Sequence, residues 1–245
     1  MSRTTEHLYK ITFPAGSFLA LPYNYSDKIN GHAYGSLREI VQDAVAIEKR
    51  MIADAIEAGC RYIQLDFPVY PFLCDPDWCA RMEKHGHDWQ ETLDLAVWAD
   101  REVIADIPDH VRTSMHVCRG NNQGRYVAEG ALDPAAEAMF SLPYDSFLIE
   151  WENKERMGGY SALQHVPKGD AVVVLGLISS KVANLETEDQ ILAELEAASK
   201  YLDRAQMAVS PQCGFASTLK GNKVTEDDQW RKLELVVNTA RRFWA

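Results

Sequence analysis

Residues 171–177 read AVVVLGL, an uninterrupted apolar run with three consecutive valines. A strand with one face in water alternates apolar and polar residues. A strand covered by helices on both faces has no need to, so this run reads as a buried strand of a parallel sheet. Shorter runs of the same kind flank it at Lys10–Phe13, Arg61–Leu65, Thr113–Val117, Phe147–Ile149 and Met207–Val209. Helical patterns lie between them. Ser36 with Glu39 has the spacing of a capping box, Gly59 closes that helix, and Ile40, Ala44, Ile47, Met51 and Ala55 share one face, which predicts its inward side. A second helix is expected from about Gln90 to Ala105, before Pro108. Thr187 with Gln190 caps a third, with Ile191, Leu195, Ala198 and Leu202 inward. Thr225 opens the last, with Leu233, Val236, Val237, Ala240 and Trp244 inward. Strands alternating with helices imply a parallel sheet with helices outside it. A closed TIM-barrel-like (β/α)8 fold needs eight strands, and this pattern supplies six.

The chain has 245 residues, 47% of them apolar and 25% charged, enough for one domain over 1–245 with a full core. Its net charge of -11 repels phosphate backbones and argues against nucleic acid as a partner. No apolar run approaches the roughly 18 residues that span a membrane. Met1–Lys10 is polar and lacks a signal-peptide core, so a cytoplasmic location is expected. The five cysteines, an odd number without a secretion signal, argue against a disulfide framework. Free thiols, metal ligands or a catalytic cysteine remain.

In parallel α/β folds the chemistry collects at the C-terminal ends of strands. Asp66 follows the second run. The third ends in His116-Val117-Cys118, and the fourth in Glu150. Ser179, Ser180 and Lys181 follow the fifth, and the sixth runs into Pro211-Gln212-Cys213-Gly214. His116 and Cys118 are two apart and point to the same side of a strand. His116, Cys118, Glu150 and Cys213 together make a tetrahedral set of the type zinc takes. Two thiolates and a carboxylate exceed the charge of a +2 ion. A thiol substrate that displaces or joins the carboxylate would bind deprotonated and stay nucleophilic. Asp66 is placed to meet a substrate amine or proton. The remaining candidates read as structural. Cys60 belongs to the core. Cys74 and Cys79, in CDPDWC, have no second pair to complete a zinc site. His85 and His87 fall in a solvated loop.

The blocks YIQLDFP, SMHVCRGN, FLIEWE, VVVLGLISSK and SPQCGFAST resemble the catalytic domain of cobalamin-independent methionine synthases, and look closest to a shorter bacterial branch. The resemblance runs from about Lys10 to the C-terminus. It implies a (β/α)8 barrel that moves a methyl group from a methyl-folate to homocysteine sulfur with Zn2+. It matches His116, Cys118, Glu150 and Cys213 to the zinc ligands, and Asp66 to the acid that holds the homocysteine amino group. A related branch adds coenzyme M thiol to epoxides, so thiol alkylation is the shared chemistry.

Three positions depart from the family. Phe67 stands where a Glu usually follows the Asp, and Lys181 stands where long synthases carry a His that acts as proton donor. Lys10–Phe13 resembles the third barrel strand, so the first two are lacking. The expected mechanism has Asp66 orienting the thiol, while Lys181, Arg119 or Asn121 assists the leaving group or binds an anionic tail. Met1–Tyr9 is too short to replace two strand–helix units, so a homo- or hetero-oligomer is expected to complete the barrel. The rivals are a zinc-free barrel of the uroporphyrinogen decarboxylase type and a non-catalytic partner subunit.

Overall fold

A computed structural model describes residues 7–151, 154–216 and 218–245. Six strands lie in it: β1 Ile11–Pro14, β2 Tyr62–Asp66, β3 Arg112–Val117, β4 Ser146–Glu150, β5 Val172–Ile178 and β6 Met207–Pro211. They match the six runs to within a residue or two. The helices are α1 Leu37–Glu57, α2 Tyr70–Leu73, α3 Pro76–Lys84, α4 Trp89–Ile104, α5 Asp133–Phe140, α6 Lys154–Met157, α7 Glu188–Ala198 and α8 Glu226–Phe243. The strands form one parallel sheet in the order β1-β2-β3-β4-β5-β6. Parallel neighbours joined in sequence order require each connection to return the chain to the same end. All the C-terminal strand ends therefore gather at one rim, as in a TIM-barrel-like fold. Among the described residues β1 and β6 each pair on one side only.

The core sits where strands are flanked on both sides. Ile63, Leu65, Met115, Phe147, Ile149, Val173 and Leu175 have essentially no exposed surface. Helix α7 buries Ile191, Leu195 and Ala198, with Leu202 just beyond it, as its sequence pattern predicts. The two capping boxes at Thr187 and Thr225 close reciprocally, the second through Asp228. At α1 the Ser36 oxygen accepts the Glu39 N–H, but the Glu39 carboxylate accepts from Gly35 N–H rather than from Ser36. Gly59 ends that helix at φ +99°, a left-handed conformation that favours glycine.

Two helices correct the sequence reading. Helix α1 buries Val41, Val45, Glu48 and Ile52, and leaves Ile47 and Met51 half exposed. Helix α8 buries Asp228, Lys232, Leu235, Thr239 and Phe243; of the expected face Val236 packs partly against the core, while Val237 and Trp244 are exposed. Both helices flank the sheet margins, where no described element covers their second apolar stripe. Met1–Glu6, at the start of the segment considered for the gap, lie outside the described residues. No described helix is long and apolar enough to cross a membrane.

Candidate metal centre

Register places the reactive groups side by side. Asp66 pairs with His116 across β2 and β3, and Glu150 pairs with Gly176 across β4 and β5. Gly176 lets these strands approach: a Cβ there would meet the Ile149 carbonyl oxygen at 3.0 Å and the Gln212 Cα at 3.2 Å. That approach brings the Cys213 turn over the end of β4.

At the rim His116, Cys118 and Cys213 offer donor atoms that all lie within 4.8 Å of one another. The sulfurs of Cys118 and Cys213 stand 3.1 Å apart as free thiols, and Cys213 Sγ is 4.0 Å from His116 Nε2. His116 Nδ1 sits 2.6 Å from Asp66 Oδ1, so that Nε2 is the nitrogen left to face the cluster. Burial pulls the His116 pKa down, but the Asp66 contact, with the Cys118 and Glu150 charges, outweighs it and the net shift is upward. The Cys118 thiol is drawn below its usual range, chiefly because Cys213 donates to it. Cys213, holding the shared proton, is pushed up by the same contact. Backbone geometry supports the thiolate. Gly120 N–H donates to Cys118 Sγ at 3.1 Å, from a residue at φ +94° whose Cβ would meet Val127 at 2.6 Å. The Ser180 hydroxyl oxygen accepts the Cys213 N–H at 3.2 Å.

Glu150 stands one step back from these three. Its Oε2 is 3.9 Å from Cys213 Sγ and accepts the Arg119 N–H at 3.0 Å, while its Oε1 pairs with the buried ammonium of Lys181. A soft set of two sulfurs and one nitrogen, with a carboxylate beside it, suits zinc, and these residues fit that ion.

A cleft of about 220 Å³ opens over the cluster, lined by Asp66, Phe67, His116, Cys118, Asn121, Cys213 and Gly214. Phe67 holds φ +60°, unusual for a bulky side chain, and its ring packs on Phe18 and Phe72. Asn121 donates its amide to the Gly214 carbonyl, tying together the loops that follow Cys118 and Cys213. Arg119 does not line the cleft. It is buried beside Cys74, Asp75 and Arg156, and its Nε and Nη1 find no hydrogen-bond partner among the described residues. Cys79 donates to the Leu73 carbonyl, and His85 lies against the Arg81 carbonyl in an exposed turn, so both stay structural. Reading the sequence alone missed the Asp66–His116 and Lys181–Glu150 contacts. The first was open to it, since both residues close adjacent strands.

A family model described as "Cobalamin-independent synthase, Catalytic domain" matches residues 34–241. The chain belongs to the cobalamin-independent methionine synthase family. It is 36% identical over 237 residues to an uncharacterised Bacillus subtilis protein, YxjG, covering 96% of this chain and 61% of that one. A Listeria monocytogenes structure, described as a candidate vitamin-B12-independent methionine synthase, superposes with a TM-score of 0.72 at 29% identity, covering 98% of this chain and 65% of that one. A B12-independent methionine synthase from Shewanella, solved with selenomethionine, has the same fold at 16% identity and a TM-score of 0.71, covering 98% of this chain and 63% of that one. The chain thus spans about three-fifths of the length of the curated relatives it matches.

Proposed function

We propose that the chain transfers a methyl or alkyl group to a thiol at a zinc centre held by His116, Cys118, Glu150 and Cys213, in the manner of a methionine synthase that passes a methyl from methyl-folate to homocysteine. The observation that carries this reading is the convergence of His116 Nε2 and the two sulfurs beneath an open cleft. Zinc, when bound, supplies the Lewis acidity that makes a thiol nucleophilic near neutral pH. The protein's own groups do the rest. Asp66 fixes the His116 ring through Nδ1, the role of an outer carboxylate partner. Its side chain also reaches the cleft, where its charge suits a substrate ammonium. The Phe67 ring walls one side of the cleft, backed by the Phe18 and Phe72 rings. The selenomethionine bound by the Shewanella protein supports a methionine-like product here.

A second reading has its own observation. Phe67 is apolar where the family usually has an acid, which favours a thiol without an amino group, such as coenzyme M. We further propose that the open margins at β1 and β6 are covered in a homo- or hetero-oligomer, and that the assembly acts in the cytoplasm.

Metal analysis of the purified chain, followed by assays with homocysteine and coenzyme M as separate acceptors, tests the set. Methionine formed from homocysteine supports the first reading, and turnover with coenzyme M alone supports the second. A chain that binds zinc but alkylates no thiol is the non-catalytic subunit. Alkylation without zinc removes the metal mechanism.

A further inference from the structure

Glu150 is held differently from the other three ligands. His116, Cys118 and Cys213 face one another, whereas the Glu150 carboxylate is turned onto Lys181 and the Arg119 N–H. Both members of the Lys181–Glu150 pair are almost wholly buried, at 3% and 1% exposure. The Lys181 backbone is fixed as well: its N–H donates to Ser179 Oγ, and the neighbouring Ser180 carbonyl accepts from Asn222. Charge explains the arrangement. Two thiolates and a carboxylate exceed a divalent cation by one negative charge, and a buried ammonium cancels that excess. A buried carboxylate needs an opposite charge beside it, because burial has stripped the water that would otherwise stabilise it.

We propose that Lys181 is a positioning residue that competes with the metal for Glu150, giving that carboxylate a second station and setting how firmly it holds the metal. The inference rests on the zinc reading above. It accounts for a lysine buried next to a cation site, where an ammonium would otherwise only weaken metal binding.

A double-mutant cycle on the full chain tests it, with zinc affinity read by competition against a chromophoric chelator. Lys181→Met should tighten zinc by about tenfold where Glu150 is present, and by no more than about twofold in the Glu150→Gln background. Cobalt(II) substitution adds a readout that bulk charge does not move: the visible bands of Lys181→Met should shift as the carboxylate joins the metal, and those of Lys181→Arg should match wild type. Equal tightening in both backgrounds means that Lys181 acts only as a nearby charge and overturns the proposal. Unchanged or weaker zinc binding in Lys181→Met overturns it too. A wild-type chain that takes up no zinc fails the underlying metal reading, and is distinguished from these outcomes by the metal analysis itself.

Discussion

The middle of the sheet and its margins obey different rules. Between β2 and β5 every strand has a neighbour on each side, and the residues facing the helices are buried. At the margins only Phe13 of β1 and Met207 of β6 are buried. The helices divide the same way. Helix α7 buries the stripe its sequence advertises. Helix α1 turns Glu48 inward and leaves Ile47 and Met51 out, and α8 turns Lys232 inward and leaves Val237 out. An amphipathic pattern reports every apolar surface a helix will cover, including surface covered by elements not in view. In the middle those surfaces coincide with the described core. At the margins the two helices carry a second stripe that this sheet does not use.

The largest effect should come at the candidate metal cluster, where His116 and Cys118 at the end of β3 in the middle meet Cys213 just past β6 at the margin. Cys213→Ser removes one of two sulfurs, and zinc binding should weaken by at least about a hundredfold with the fold retained, read as metal per chain after dialysis beside circular dichroism. Full zinc occupancy in a Cys118→Ala, Cys213→Ala double variant would falsify the site. Asp66→Asn should cost about ten- to a hundredfold in zinc affinity, because the His116 ring loses the carboxylate charge beside Nδ1 that raises its basicity. If affinity stays put while the KM for homocysteine rises, Asp66 serves the substrate instead of the ring. Packing in the middle gives the next largest effect: Leu195→Ala, fully buried on α7, should cost about 2–5 kcal/mol in a denaturant melt.

These differences set what the sequence made legible. All six strands were readable, since buried parallel strands show as apolar runs. Their ends were readable too, because ligand types such as His116, Cys118 and Cys213 have few other reasons to recur there. Contacts between side chains were less so. That Glu150 turns onto Lys181, and that Arg119 is buried away from the cleft, depends on rotamers no pattern encodes. The inward faces of α1 and α8 were misread for a different reason. Each carries two competing stripes, and periodicity alone does not say which one meets the sheet.

Helix α1 offers a sharper test of its margin, through pH. Its inward Glu48 has a pKa raised to about 8 by burial and by the nearby Asp100 carboxylate, itself raised to about 6 by burial. A carboxyl whose folded pKa exceeds its unfolded value binds its proton more tightly when folded. Its contribution is fully present below about pH 4.5 and is lost as pH rises through 8. The chain should therefore lose stability over that interval. Glu48→Gln should flatten the slope and stabilise the fold at pH 8.5 by about 1–3 kcal/mol. Parallel pH profiles for the two proteins would show that Glu48 is not the source.

The smallest effect on the isolated fold separates the margins from the middle most clearly. Ile47 on α1 and Val237 on α8 are each about half exposed, at 50% and 46%. Replacing both with Lys removes apolar surface that touches water already. The midpoint of urea unfolding should move by less than about 0.5 kcal/mol, the usual range for exposed positions. If the stripes are covered by another chain, the same change places two ammonium groups in an apolar interface, and association should fail. Light scattering coupled to size exclusion reads this directly. Where a second copy covers the stripes, the wild type should run above the 27.6 kDa of one chain, and the double variant at that mass. A wild-type chain that is already a stable 27.6 kDa monomer, loaded with zinc, counts against coverage by a second copy. A variant that loses several kcal/mol would show instead that these stripes are packed within the chain, and that its margins are as closed as its middle.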